Sequence, residues 1–279
     1  MPDPKRDYLT PTLDRYWFAP PVALWRAIEL RVLAAETFSR PLLDLGCGDG
    51  LIAQVLFAGE PPVEAGFDPW LKQVRQAPAS GAYRYVQQAR GEAMPYPTAT
   101  FAAVFSNSVL EHIPDLAPVL GEVARVLRPG GRFLATVPSD AFRRLLAGYR
   151  QRVAGGDFAG AEAYALAVDR RLEHHRYPTP AQWAEMLDRA GMRLLHTRYY
   201  IPAEVEALWD RANVTYGIHQ DGAPFYRWLA SPRLRQFGYQ ELVRRWIVHR
   251  LSGRWRQAYR LDVPAGGVGG GLLVVGEKA

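Results

Sequence analysis

The apolar positions of this chain change period repeatedly along its length. Short runs that suit buried strands occur at Pro41–Leu45, Val63–Phe67, Tyr83–Gln87, Phe101–Ser106 and Arg132–Val137. Between them, Leu51–Phe57, Leu71–Gln76 and Leu116–Leu127 read as helices. Strand–helix alternation predicts a parallel sheet with both faces covered. A helix is also predicted over 21–36, with Pro21 suited to its first position. The stretch before it, YLTPTLDRYWFAPP, is proline-broken and aromatic and reads as a loop.

After Pro138 the alternation stops. Residues 139–178 read as helical and polar, Ala181–Ala190 as a helix closed by Gly191, and Met192–Ile201 as a sixth strand. A long segment, 202–266, separates this strand from a seventh, GLLVVGEK. Arg128-Pro-Gly-Gly reads as a helix stop and turn.

The 279 residues are 48% hydrophobic and 22% charged, as in an ordinary globular protein. No apolar run reaches the ~18–20 residues that span a bilayer, and the N-terminus has no apolar signal core. Cys47 is the one cysteine, which leaves no internal disulfide and no Cys/His metal spacing, so no metal is expected. A cytoplasmic location follows as the expectation. The net charge of +6 is concentrated. Residues 224–260 carry nine arginines (227, 233, 235, 244, 245, 250, 254, 256 and 260) against a single acid, Glu241. In the same segment Tyr239, Leu242, Val243, Trp246 and Ile247 share a helical stripe, with Arg244, Arg245, Arg254 and Arg256 off it. Tryptophan beside arginine on a helix suits an anionic membrane surface or a lipid-linked acceptor; a helix packed on the core with solvated arginines gives the same pattern.

The candidate chemistry lies at LLDLGCGDG, residues 42–50, between the first strand and the helix after it. Glycine there lets a ligand approach main-chain amides beside a helix N-terminus. A dinucleotide fingerprint needs G-x-G-x-x-G, but Leu51 stands where its third glycine belongs. The pattern is instead Asp44-x-Gly46-x-Gly48-x-Gly50.

This motif, the acid of AGFDP at Asp68 and the stretch GEAMPYPTATFAAVFSNSVLEHIPDLAPVLGEVARVLRPGGRFLATVP (91–138) resemble class I S-adenosylmethionine-dependent methyltransferases. The branch they resemble acts on small molecules, quinones and sterols. The resemblance implies an α/β, Rossmann-like doubly wound sheet of seven mostly parallel strands, the last antiparallel. It implies a cofactor-binding core at 41–138, preceded by an aromatic loop and lid helix (1–40). Helical insertions at 139–178 and 202–266 would form a substrate cap, with the last strand in 267–279. S-adenosylmethionine would be held by Asp44, Gly46, Cys47, Gly48, Gly50, Asp68, Gly91, Glu92, Ser106 and Asn107. Asp68 would accept from the ribose diol, a match for a carboxylate with two oxygens. Many relatives carry Asp where this chain has Arg90. Cys47 fits a space-filling role better than a nucleophilic one. His112 and Asn107 are the candidates for catalytic contact; His112 fits a structural hydrogen bond equally well, and His174-His175 lie in an insertion. The implied activity is methyl transfer to oxygen, carbon or nitrogen of a small or lipid-like acceptor. The alternatives are a nucleic-acid methyltransferase, suggested by the arginines but lacking the Asn/Asp-Pro-Pro-aromatic motif, and a non-catalytic cofactor-binding regulator.

Overall fold

A computed structural model describes residues 2–216 and 238–279. Arg227, Arg233 and Arg235 of the basic segment lie outside the described residues.

Seven strands form one sheet: β1 Leu42–Leu45, β2 Val63–Asp68, β3 Tyr83–Gln88, β4 Phe101–Asn107, β5 Leu127–Pro138, β6 Met192–Tyr200 and β7 Gly271–Lys278. Their order is β3-β2-β1-β4-β5-β7-β6. The first five pair in parallel and β7 runs antiparallel to both neighbours. The expected doubly wound sheet with an antiparallel last strand is present.

Successive strand residues point to opposite faces, and each face has its own core. Leu42, Phe105, Leu134 and Leu273 face one cluster, and Leu43, Val104, Phe133 and Leu272 face the other. The second cluster is covered by α5 (Ala117–Val126) and α9 (Pro180–Arg189). Helix α9 starts at a reciprocal capping box between Thr179 and Gln182, with Pro180 in its first turn. The first cluster is covered by α1 (Leu9–Arg15), α2 (Pro20–Leu33) and α3 (Leu51–Leu56). Helix α4 (Leu71–Gln76) packs on β2 and β3 without burying any residue fully.

The N-terminal stretch departs from its expected form. Residues 9–15 are helical despite Pro11, which stands in the first turn, where amides have no intrahelical partner to lose. The Asp7 carboxylate accepts from the Leu9 and Thr10 amides and supplies the missing start signal. Helix α2, the expected lid, buries eleven of its residues, Trp25 and Ile28 among them, and is a core element. Turn residues Arg128–Gly131 are also absorbed: they form an irregularity within β5, between Leu127 opposite Phe101 and Arg132 opposite Ala103.

Residues 139–178 form α6 (Phe142–Leu145), α7 (Ala147–Ala154) and α8 (Phe158–Leu172). The described part of the second insertion forms α10 (Ala203–Tyr216) against α7 and α2, and α11 (Gln240–Arg260) against α1 and α2. The buried stripe of α11 is Ile247, Leu251, Trp255 and Tyr259, four residues apart, which leaves Leu242 and Trp246 exposed. Of the arginines on α11, Arg244 pairs with Asp14 and Glu241, Arg245 with Glu241, and Arg256 with Asp7. No helix among the described residues is long and apolar enough to cross a membrane.

Candidate active site

A cleft of about 630 Å³ opens at the carboxyl ends of β1, β2 and β4, where the strand order reverses. The predicted residues Asp44, Gly46, Cys47, Gly48, Asp68, Gly91, Glu92, Asn107 and His112 line it. Gly50 and Ser106 do not. Ser106 turns inward, its hydroxyl donating to the Leu45 carbonyl at 3.0 Å.

The three glycines share left-handed backbone, with φ of +80°, +54° and +83° at Gly46, Gly48 and Gly50. Their surroundings differ. A Cβ on Gly46 would lie 2.4 Å from a Val109 methyl, and one on Gly50 would lie 2.5 Å from Ser80 Oγ. Nothing lies within 4 Å of a Cβ on Gly48. Two glycines are thus required by the protein's own packing, and Gly48 alone presents bare main chain to open space.

Two carboxylates flank this loop. Asp44 is buried and accepts from the Tyr83 hydroxyl at 2.6 Å. Burial pushes its carboxyl up to about 7, the Tyr83 hydrogen bond acts against this, and the neighbouring Asp68 adds to it. Asp68 accepts from the Gly48 amide at 3.1 Å and the Trp70 amide at 2.9 Å, one on each oxygen. A carboxylate offers about four lone-pair sites, so two remain. Cys47 is buried, and burial raises its thiol well above the usual range, the reverse of what activates a thiol nucleophile. Glu92 is exposed and ion-paired with Arg90, which holds its carboxyl below the usual range.

The cleft is also lined by Tyr16, from the aromatic N-terminal stretch read as part of a lid, and by Arg26, Val109, Ile113 and Glu173, which local sequence patterns did not single out. Behind them sits Glu29, fully buried on α2. It accepts from Trp25 Nε1, Arg26, Asn107, Ser108 and Tyr200. The spacing of Arg26 and Glu29 within an apolar helix was the available signal. Asn107 Nδ2 also donates to Thr136 Oγ1 at 2.6 Å, and its Oδ1 is buried without a partner. Ser108 is held at a φ of +48°.

A 3₁₀ turn at Leu110–His112 follows β4. Burial raises the Glu111 carboxyl to about 8 and lowers the His112 imidazole. His112 Nδ1 lies 3.2 Å from the Glu173 carbonyl. His174, from the first insertion, packs its ring 5.3 Å from that of His112, and burial brings its imidazole down to about 3. Among the described residues, this first insertion supplies Glu173 to the cleft lining and the second supplies none.

A glycine-bearing strand–helix turn, an acid ending β2 and a cleft at the switch point define a Rossmann-like nucleoside-binding site. A methyltransferase-domain family profile matches residues 43–135. The chain is 36% identical over 111 residues to 27-O-demethylrifamycin SV methyltransferase of Amycolatopsis mediterranei, covering 36% of this chain and 40% of that protein. It is 31% identical over 178 residues to demethylmenaquinone methyltransferase of Thermus thermophilus, covering 60% and 79%. The chain thus spans less than half the length of the first relative and about four fifths of the second. A solved putative sarcosine dimethylglycine methyltransferase from Galdieria sulphuraria shares the fold at a TM-score of 0.53 and 17% identity, covering 91% of this chain and 83% of that one. The chain belongs to the S-adenosylmethionine-dependent methyltransferases.

The residues present fit that cofactor. A cleft of this size suits a small organic ligand. The bare approach at Gly48 suits its nucleoside, and Asp44 and Asp68 suit a ligand that is cationic and carries a diol.

Proposed function

We propose that this protein methylates an oxygen of a small, ring-bearing acceptor of quinol or polyketide type. The observation that carries the reading is the mixed lining of the cleft. It combines open main chain at Gly48 and two carboxylates with the apolar and aromatic Tyr16, Val109 and Ile113 and with Arg26 and His112. The related proteins named for rifamycin and menaquinone substrates support the acceptor class.

When bound, S-adenosylmethionine supplies an electrophilic methyl on a cationic sulfur. Asp44 holds the ammonium of its methionine part, directly or through water. Asp68 takes the ribose diol on its two free lone-pair sites. Gly48 keeps a side chain away from the nucleoside, Gly46 lets the loop pack on Val109, and Gly91 and Glu92 border the base. Asn107, fixed by Glu29 and Thr136, lines the cleft, and its Oδ1 is buried without a partner. His112 faces the acceptor. The chief contribution of these groups is alignment, worth up to ~7–11 kcal/mol in favourable systems.

Such acceptors are often lipid-like, and the exposed Leu242 and Trp246 beside Arg245 and Arg250 on α11 suit transient contact with an anionic membrane surface. Co-sedimentation with phosphatidylglycerol vesicles at low salt tests this, and loss of pelleting in W246E is expected.

The activity itself is tested with tritium-labelled S-adenosylmethionine and a panel of catechols, quinols and hydroxylated polyketides. Label transfer to at least one acceptor, abolished by D68A, is expected. Calorimetry that detects neither S-adenosylmethionine nor S-adenosylhomocysteine binding overturns the reading.

A further inference from the structure

Two segments distant in sequence meet at the acceptor wall of the cleft. The 3₁₀ turn after β4 carries Glu111 and His112, and the reversal at the end of α8 carries His174. Glu173 makes that reversal in left-handed backbone, φ +57°, and the His175 amide locks it by donating to the Glu111 carbonyl at 2.9 Å. One nitrogen from each histidine and one carboxylate oxygen of Glu111 lie within 4.8 Å of one another.

The hydrogen bonds behind the two rings fix their tautomers. A carbonyl oxygen can only accept, so His112 Nδ1, 3.2 Å from the Glu173 carbonyl, carries the proton. Tyr177 gives its only hydroxyl proton to Asp169, at 2.5 Å, and Asp169 is ion-paired with Arg143. The Tyr177 oxygen must therefore accept from His174 Nδ1, 3.0 Å away. Both rings are left with a bare Nε2. Glu111 is 3% exposed, and its Oε2 is buried with no partner. Its Oε1 lies 3.9 Å from His112 Nε2.

We propose that Glu111, His112 and His174 form a binding site for a divalent cation of the zinc, cobalt or manganese class, open on its remaining positions to an acceptor oxygen. Two imidazole nitrogens and one carboxylate are a donor set for borderline cations. Neighbouring ligands around such an ion lie roughly 3–3.5 Å apart, given metal–ligand lengths of about 2.0–2.2 Å. Closing the set needs a side-chain shift from the 3.9 Å between Glu111 Oε1 and His112 Nε2 that keeps the Glu173 hydrogen bond. Each histidine already has the outer partner that metal-bound imidazoles use: the Glu173 carbonyl behind His112, and Tyr177–Asp169 behind His174. An acceptor oxygen bound to the cation would be held by a point fixed to the protein, and a hydroxyl there would release its proton more readily.

The cation site stands independently of the methyl-transfer reading, which supplies only the identity of the bound oxygen. The test is titration of EDTA-treated, full-length protein with cobalt(II) chloride, followed by visible absorption and by calorimetry. S-adenosylhomocysteine binding is measured in parallel to report on folding and on the cofactor site. The expected result is one cobalt per chain with ligand-field absorption. E111Q and H174N should each lower the affinity tenfold or more, Y177F should lower it by about 10–100-fold through the outer partner, and H249N, on the exposed face of α11, should leave it unchanged. If E111Q loses S-adenosylhomocysteine binding as well, H174N and Y177F decide the matter. Absence of saturable cobalt binding by the wild type, or binding that survives H174N and Y177F, overturns the proposal.

Discussion

The hydroxyl of Tyr83 on β3 reaches across β2 and donates to Asp44 at the tip of β1, at 2.6 Å. This bond resists the burial that pushes the Asp44 carboxyl up to about 7. Above about 3.8 the unfolded chain has released this proton while the folded protein retains it. The stability attributable to Asp44 is therefore full at low pH and declines as pH rises toward 7. A cationic ligand needs the ionised form, so its affinity should rise across the same window. Calorimetry with S-adenosylmethionine between pH 5.5 and 8.5 should show tightening that D44N flattens. Y83F removes a hydrogen bond to the carboxylate. It should move the profile to higher pH and weaken binding at pH 7 by about 1–2 kcal/mol. An unmoved profile in Y83F would separate Asp44 from the cofactor.

The glycines should divide by phenotype. In G48A the added methyl meets no protein atom, so the expected stability loss is the cost of left-handed backbone, about 1–2 kcal/mol, with cofactor binding strongly reduced. In G46A the methyl strikes Val109, and the greater loss should be in stability. Thermal melts of G46A and G46A/V109A check this, since removing the Val109 methyls should restore part of it.

Glu29 gathers five donors in the core while fully buried. Replacing it with glutamine removes the negative charge and turns an NH₂ group toward donors. E29Q should cost about 3–5 kcal/mol, as for a broken buried pair. Urea denaturation measures it; a change below about 1 kcal/mol would show that Arg26 and Asn107 do not depend on it.

Glu206 on α10 presents the opposite case. Both its carboxylate oxygens are buried without a partner, and burial, with Asp210 nearby, keeps its carboxyl well above the usual range. The folded state keeps the proton that the unfolded chain gives up above about 4.5, so stability falls as pH rises past that point. E206M should stabilise the protein by about 1–3 kcal/mol at pH 8, and by less at pH 4.5. Equal melting shifts at both pH values would contradict the burial argument.

Much of the sheet was legible locally. Strand runs, the helix closed by Gly191, the glycine turn after β1 and the acid ending β2 are fixed by neighbours within a few residues, although the Thr179 capping box that starts α9 was not read. Pro11 misled for the same reason: its helix is held by the Asp7 cap and by burial of Leu9 and Leu13, neither visible in a proline-broken string. The stripe at Tyr239–Ile247 was half right, because burial under α1 and α2 selects Ile247, Leu251, Trp255 and Tyr259 and leaves Trp246 outside.

The sequence by itself determined the class of fold and the glycine turn and acid that border the cleft, since periodicity and backbone freedom act over short range. Only the tertiary structure decided which face each residue shows: that Ser106 and Gly50 turn away from the cleft, that Arg26 and Glu29 stand behind Asn107, and that His174 meets Glu111 and His112. Those relations depend on strand order and on the path of α8, which bring together side chains whose local sequence carries no trace of the encounter.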